Sequence, residues 1–214
     1  MNALLVLAAL AASVGIAFAV PGEGPGAIVV CAAVAGPAAL IISRHQTHAE
    51  FLLQVFVGGL VLRMLIGAVI YVAQLQGFFG GDALTYDSVG IMLLQYWRGV
   101  VSYSTFDASA SIFLYRNWGM PYVVAAVYAV VGQNMLAVQF FNAVVGAATA
   151  PVIFLCAHHI FGNLRVAKLA ALFVAFFPSL VLWSSQGLKD GPIVFLLAAA
   201  MLSTLRLGER LSVR

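Results

Sequence analysis

Two carboxylates stand where the chain leaves long apolar runs, and both are placed to do chemistry. Asp82 follows Gly80 and Gly81, and Asp190 follows Lys189 and precedes Gly191 and Pro192. A glycine pair lets the backbone turn sharply, which sets Asp82 at the mouth of whatever the apolar runs build. A carboxylate partly sheltered from water can activate an acceptor hydroxyl or bind a divalent cation. Tyr86 and Asp87 lie within five residues of Asp82 and would line the same mouth. The plainer reading is helix capping: Asp82 suits an N-cap, and Asp190 caps a helix whose first turn holds Pro192.

Cations complete the set. Arg63 falls near the middle of an apolar run, where an arginine costs roughly 2.5–3.5 kcal/mol on insertion scales. It must therefore face protein, water or an anion: either a buried pair with an acid, or the phosphate of a lipid-linked substrate. Lys189, Arg98 and Arg116 are the other candidates for phosphate. His158 and His159 are adjacent and point to different faces of a helix, so they are not expected to share a metal. Asn134 and Asn142 are expected to hydrogen-bond between helices. No P-loop, zinc-ligand spacing, nucleophile elbow or dinucleotide-binding glycine pattern is present.

The elements that must position these groups are membrane helices. Hydrophobic residues make up 64% of the 214 positions and charged ones 8%, against about half and about a quarter in soluble domains. That balance excludes a soluble domain. A bilayer core about 30 Å thick asks for roughly 20 apolar residues per helix, and such runs lie at 3–20, 27–43, 51–75, 136–157, 166–183 and 192–205. The run at 122–131 is too short to span. The first run has no Lys or Arg near its start, which favours a retained helix over a cleaved signal peptide. Cys31 and Cys156 both sit in apolar runs, as buried thiols do. The net charge of +3 comes from basic residues at run ends, where they set topology, and not from a nucleic-acid-binding patch.

Placing Arg44, Arg165, Lys168 and the tail arginines Arg206, Arg210 and Arg214 on the cytoplasmic side satisfies the positive-inside rule with six spans. The expected fold is an all-α, polytopic transmembrane bundle. Residues 1–50 form two N-terminal helices, 51–205 a membrane module and 206–214 a basic tail. The outer loop 76–118 carries amphipathic juxtamembrane helices, anchored by Tyr96 and Trp97. Asp82 and Asp190 then share the outer side.

The order of motifs resembles a known family. Gly81-Asp82-Ala83-Leu84-Thr85-Tyr86-Asp87 follows an apolar helix. Trp118-Gly119-Met120-Pro121-Tyr122 opens the short run, and a long helix closes on His159-Ile160-Phe161-Gly162. Phe177-Pro178-Ser179-Leu180 then precedes Ser184-Ser185 and Lys189-Asp190. Over roughly residues 51–205 this resembles the N-terminal half of the GT-C superfamily of membrane glycosyltransferases, nearest the protein O-mannosyltransferase and aminoarabinose transferase group. The resemblance implies a polyprenyl-phosphate sugar donor and transfer on the outer face, with Asp82 as the first-loop catalytic aspartate and Asp190 as the second cavity acid. It implies no fixed cofactor. Ala83 stands where many members carry a second acid, which weakens the case for a divalent cation. Members usually continue for several more helices, so a second subunit completing the fold is an expected partner. A bacterial inner membrane is the expected location.

Two other classes fit the same composition: a non-catalytic membrane subunit or scaffold, and a transporter of lipid-linked precursors with Arg63 on its path. Asp82→Asn separates them. It abolishes transfer in an enzyme, leaves a scaffold indifferent, and affects a transporter less than a change at Arg63.

Overall fold

The computed structural model describes residues 3–45, 47–79, 81–107 and 119–212, and every regular element among them is helical. The elements are α1 (Ala3–Ala19), α2 (Gly24–Ser43), α3 (Ala49–Val72), a 3-10 turn at Leu75–Gly77, α4 (Asp82–Trp97), α5 (Met120–Val131), α6 (Met135–Phe161), α7 (Leu164–Phe176), α8 (Pro178–Ser184) and α9 (Asp190–Ser212). Five of the six expected runs lie in single helices, and the run at 166–183 is broken into α7 and α8. Four helices, α2, α3, α6 and α9, are long and apolar enough to cross a membrane alone, and α7 with α8 is an apolar pair bent by 51°, a broken span or a re-entrant loop. α1 is a shorter apolar helix, and α5, at 12 residues, falls well short of a bilayer. The chain is an integral membrane protein.

α6 is the central post. It is capped by Asn134, whose side-chain oxygen accepts from the Ala137 N–H at 2.8 Å, and it ends at Gly162, which takes φ +60°. That left-handed residue and the Asn163 cap, which accepts from the N–H groups of Arg165 and Val166, turn the chain back at once into α7. α7 lays Ala167, Ala171 and Ala175 against Ala150, Phe154 and Ala157 of α6. Hydrophobic transfer gives little drive between helices in lipid, and small residues let the backbones approach closely enough for dispersion to hold them. Gly146 makes a close approach: a Cβ there would lie 2.5 Å from the Ser184 Cβ and 3.1 Å from the Arg63 Nε. Gly146→Ala is therefore expected to destabilise the bundle by about 1–3 kcal/mol through overpacking, measurable as a lowered melting temperature in detergent.

α4 is the main helix of the long loop. Its apolar face (Tyr86, Val89, Gly90 and Leu93) packs on α5, with Gly90 seated against Val124. The loop helix thus buries its face on protein.

The two ends of the bundle differ in character. At one end His48 meets His158 with ring centroids 5.9 Å apart. There too, Lys168 sits over the Phe51 ring at 5.2 Å and His159 pairs with Glu209 at 3.3 Å. At the other end, Asn134 donates to the Glu23 carbonyl at 2.8 Å, and Asn142 donates to the carbonyls of Gln186 and Leu188 at 2.7 and 2.6 Å. Both asparagines tie elements together, through cap and loop carbonyls in place of the expected bonds from helix to helix. The segments expected to be cytoplasmic gather at the first end, and those carrying Asp82 and Asp190 at the second.

Candidate functional site

The second end is built around the connection between α8 and α9. Ser185, Gln186 and Leu188 are buried, and the Asn142 amide holds the connection by two of its carbonyls. This fixes where α9 begins, so Lys189 and Asp190 enter at a defined point, with Asp190 exposed in the first helical turn. A carboxylate there is favoured by the unpaired N–H groups of the helix start. Gly187 faces Ala83, the neighbour of Asp82. Phe79, three residues before Asp82, packs edge-on against Trp183 with centroids 6.3 Å apart. These contacts bring the start of α4 beside the start of α9.

Asp82 does not cap α4. The N-cap is Gly81 at φ +74°, with no side-chain cap hydrogen bond, and Asp82 is exposed in the first turn. Only glycine adopts that φ freely, so the turn needs Gly81 and leaves the Asp82 carboxylate unused by the backbone. Tyr86, one turn on and fully buried, lies within electrostatic reach of Asp82, Lys189 and Asp190. Burial raises its phenol above the usual tyrosine range, the two carboxylates add to this, and the Lys189 ammonium opposes it.

Asp87 turns away from this group. The Tyr128 hydroxyl donates to its carboxylate, and its pKa is raised by burial and by the charge of Glu23, against the lowering effect of the Tyr128 hydrogen bond. A carboxyl whose pKa is higher folded than unfolded holds its proton more tightly in the fold. Its contribution to stability is full below the ordinary carboxylate range and is lost as pH rises through the raised value. Asp87→Asn keeps an acceptor for Tyr128 without the charge. It is expected to match or exceed the parent in thermal stability at neutral pH and to flatten the pH dependence of melting; a lower melting temperature at every pH would contradict this.

Arg63 is 1% exposed, and its partners are not carboxylates. Nε donates to Ser184 Oγ at 2.8 Å, and Nη1 to the carbonyls of Gly59 and Ala175 at 3.0 and 2.7 Å. Nη2 donates to the Val174 carbonyl at 3.3 Å. Val174 stands four residues before Pro178, which has no N–H to offer it. The bend between α7 and α8 therefore exposes carbonyls at membrane depth, and Arg63 satisfies them. Sequence reasoning expected an acid or a phosphate and missed this role; the signal was the Phe177-Pro178 break.

Arg63 and Asp190 line one cavity of about 140 Å³, together with Ser184, Trp183 and Thr149. A second hollow, about 270 Å³, shares Thr149, Val174, Leu180 and Val194 with it and continues along α9 past Leu197 to Met201. From Asp190 to Met201 an α-helix rises roughly 16 Å. The two hollows adjoin as a groove, polar at Asp190 and apolar below, between α6, the bent pair and α9. Asp82 does not line it.

The remaining expected cations are not gathered here. Arg98 caps the far end of α4, roughly 24 Å along the helix from Asp82. Arg116 lies outside the described residues. No group of three or more His, Cys, Asp or Glu among the described residues is placed to hold a metal ion.

Comparison with known proteins adds an independent finding. The family model described as dolichyl-phosphate-mannose-protein mannosyltransferase matches residues 118–214. The match takes in α5 to α9, with Asn142, Lys189 and Asp190, and does not reach Asp82, Tyr86 or Asp87. No curated protein and no solved structure matches the chain. Over residues 118–214 the chain is similar to these mannosyltransferases, and this bears out its resemblance to the GT-C superfamily of membrane glycosyltransferases.

Proposed function

We propose that the chain is a glycosyltransferase, or part of one, that moves a sugar from a polyprenyl-phosphate donor to an acceptor on the outer face of the membrane. The observation that carries this reading is the groove running from Asp190 down α9. Its apolar length suits an isoprenoid tail, and its polar end suits the phosphate and sugar. Lys189, beside Asp190, would meet the donor phosphate. Asp82, at the neighbouring helix start, would accept the proton of the attacking acceptor hydroxyl. Tyr86 would stand between the two carboxylates and keep them apart. The acceptor oxygen bonds to the anomeric carbon as the bond to phosphate breaks, and polyprenyl phosphate leaves with the electron pair. Catalysis of this kind rests on holding the two reactants in line and on stabilising charge at the departing phosphate.

Arg63 would support the groove wall more than bind the phosphate, because four of its five N–H groups already serve the helix break and Ser184. This also argues against a transport path along Arg63. The distribution of basic residues fits placing the histidine-rich end in the cytoplasm, and a bacterial inner membrane is the proposed setting.

The reading is tested by incubating the purified chain with short-chain polyprenyl-phosphate sugars and following release of polyprenyl phosphate. Donor turnover with any of a panel of protein and glycan acceptors supports it. A chain that binds the donor lipid but never turns it over would instead be a scaffold.

A further inference from the structure

A second cavity opens at the opposite end of the bundle, away from both carboxylates. It measures about 200 Å³ and lies between α2 and α6, closed behind by Leu52 of α3 and Phe195 of α9. Ala38, Ile41 and Ala148 are among its walls, and its one polar lining residue is His45. Along α6 it runs from Ala148 to Leu155, roughly 10 Å of helix rise, from mid-depth towards the basic end. Pro37 and Pro151 lie within the two helices beside it.

The end at which the cavity opens is cationic. Arg44 is exposed next to His45. The His45 ring stacks on His48 at 5.8 Å, and His48 meets His158 edge-on. Lys168 is close enough to act on His48; Glu50 is the acid of this segment. The exposed Arg44 guanidinium, the Lys168 ammonium nearby and a hydrocarbon-lined slot together suit an anion that carries an acyl chain.

We propose that this is a binding site for an anionic phospholipid, its chain in the slot between α2 and α6 and its phosphate at Arg44. Basic pockets between membrane helices on the cytoplasmic side recognise anionic headgroups in this way, at about 1 kcal/mol for each basic residue near the surface. The site does not depend on the catalytic reading, since it shares no residue with the Asp190 groove.

Native mass spectrometry of the purified full chain, equilibrated with mixed micelles of phosphatidylglycerol and phosphatidylcholine, tests it. Phosphatidylglycerol is expected to be retained in preference. Arg44→Ala should weaken that preference roughly fivefold, and Ala148→Phe, which fills the slot, should lower retention with Arg44 intact. Excess inorganic phosphate should not displace the lipid. Equal retention of the two lipids would overturn the proposal, as would a preference untouched by both the headgroup and the slot variants. Displacement by phosphate together with indifference to Ala148→Phe would mean a simple anion site and would also overturn it.

Discussion

Arg63→Met should leave the chain unable to accumulate as a folded membrane protein. The substitution keeps a long apolar side chain, so packing volume is largely retained and the loss is one of hydrogen bonding. The carbonyls of Val174 and Ala175 lose their donor, and each buried acceptor left unsatisfied costs about 1–3 kcal/mol. Ser184 Oγ loses the Arg63 Nε as well. Two carbonyls and a hydroxyl together approach the whole stability of a small domain. The expected result is degradation or aggregation on expression. Arg63→Lys should rescue little, since one ammonium cannot span acceptors on α3, α7 and α8. The check is fluorescence-detected size exclusion of a tagged chain. A monodisperse Arg63→Met protein with parental melting would mean that the bend at Pro178 is stabilised by something else.

Asp190→Asn should do the reverse, leaving the fold intact and abolishing transfer. Asp190 is exposed at the start of α9, and asparagine is also well tolerated at helix starts, so melting should change little. If Asp190 acts on the reacting groups, loss of its charge should lower turnover by about 10²–10⁴-fold. Asp82→Asn should behave alike, with equal or greater loss if it is the base. The double variant should then lose less than the product of the single effects, because groups that act as a unit are not additive. Steady-state turnover and donor binding, measured on the same preparations, separate lost chemistry from lost binding. Unchanged turnover in Asp190→Asn would remove it from the reaction.

Composition and the spacing of apolar runs were enough to predict the membrane bundle, because about 20 consecutive apolar residues have few other uses. The sharing of one end by Asp82 and Asp190 was also legible, since span counting alone places their segments together. What could not be read were the partners. The carbonyls that Arg63 satisfies exist only because Pro178, far along the chain, breaks a helix that happens to cross α3 at that depth. Asp82 has the residue type of a cap, yet the turn gives that place to Gly81, whose positive φ no sequence pattern required. Asp87 and Tyr86 are neighbours in sequence, but successive helical side chains diverge by about 100°, which sends one toward Tyr128 and the other toward Lys189. The Asn142 clamp was foreseen as an interhelical bond, though not as the holder of the segment that delivers Asp190.

The most direct test of the account is the sidedness of its two carboxylates. With Cys31 and Cys156 replaced by alanine, Asp82→Cys and Asp190→Cys should each react with a membrane-impermeant maleimide added to intact cells, while Arg44→Cys should react only after permeabilisation. Labelling of positions 82 and 190 from opposite faces, or of both only from the cytoplasm, would contradict it.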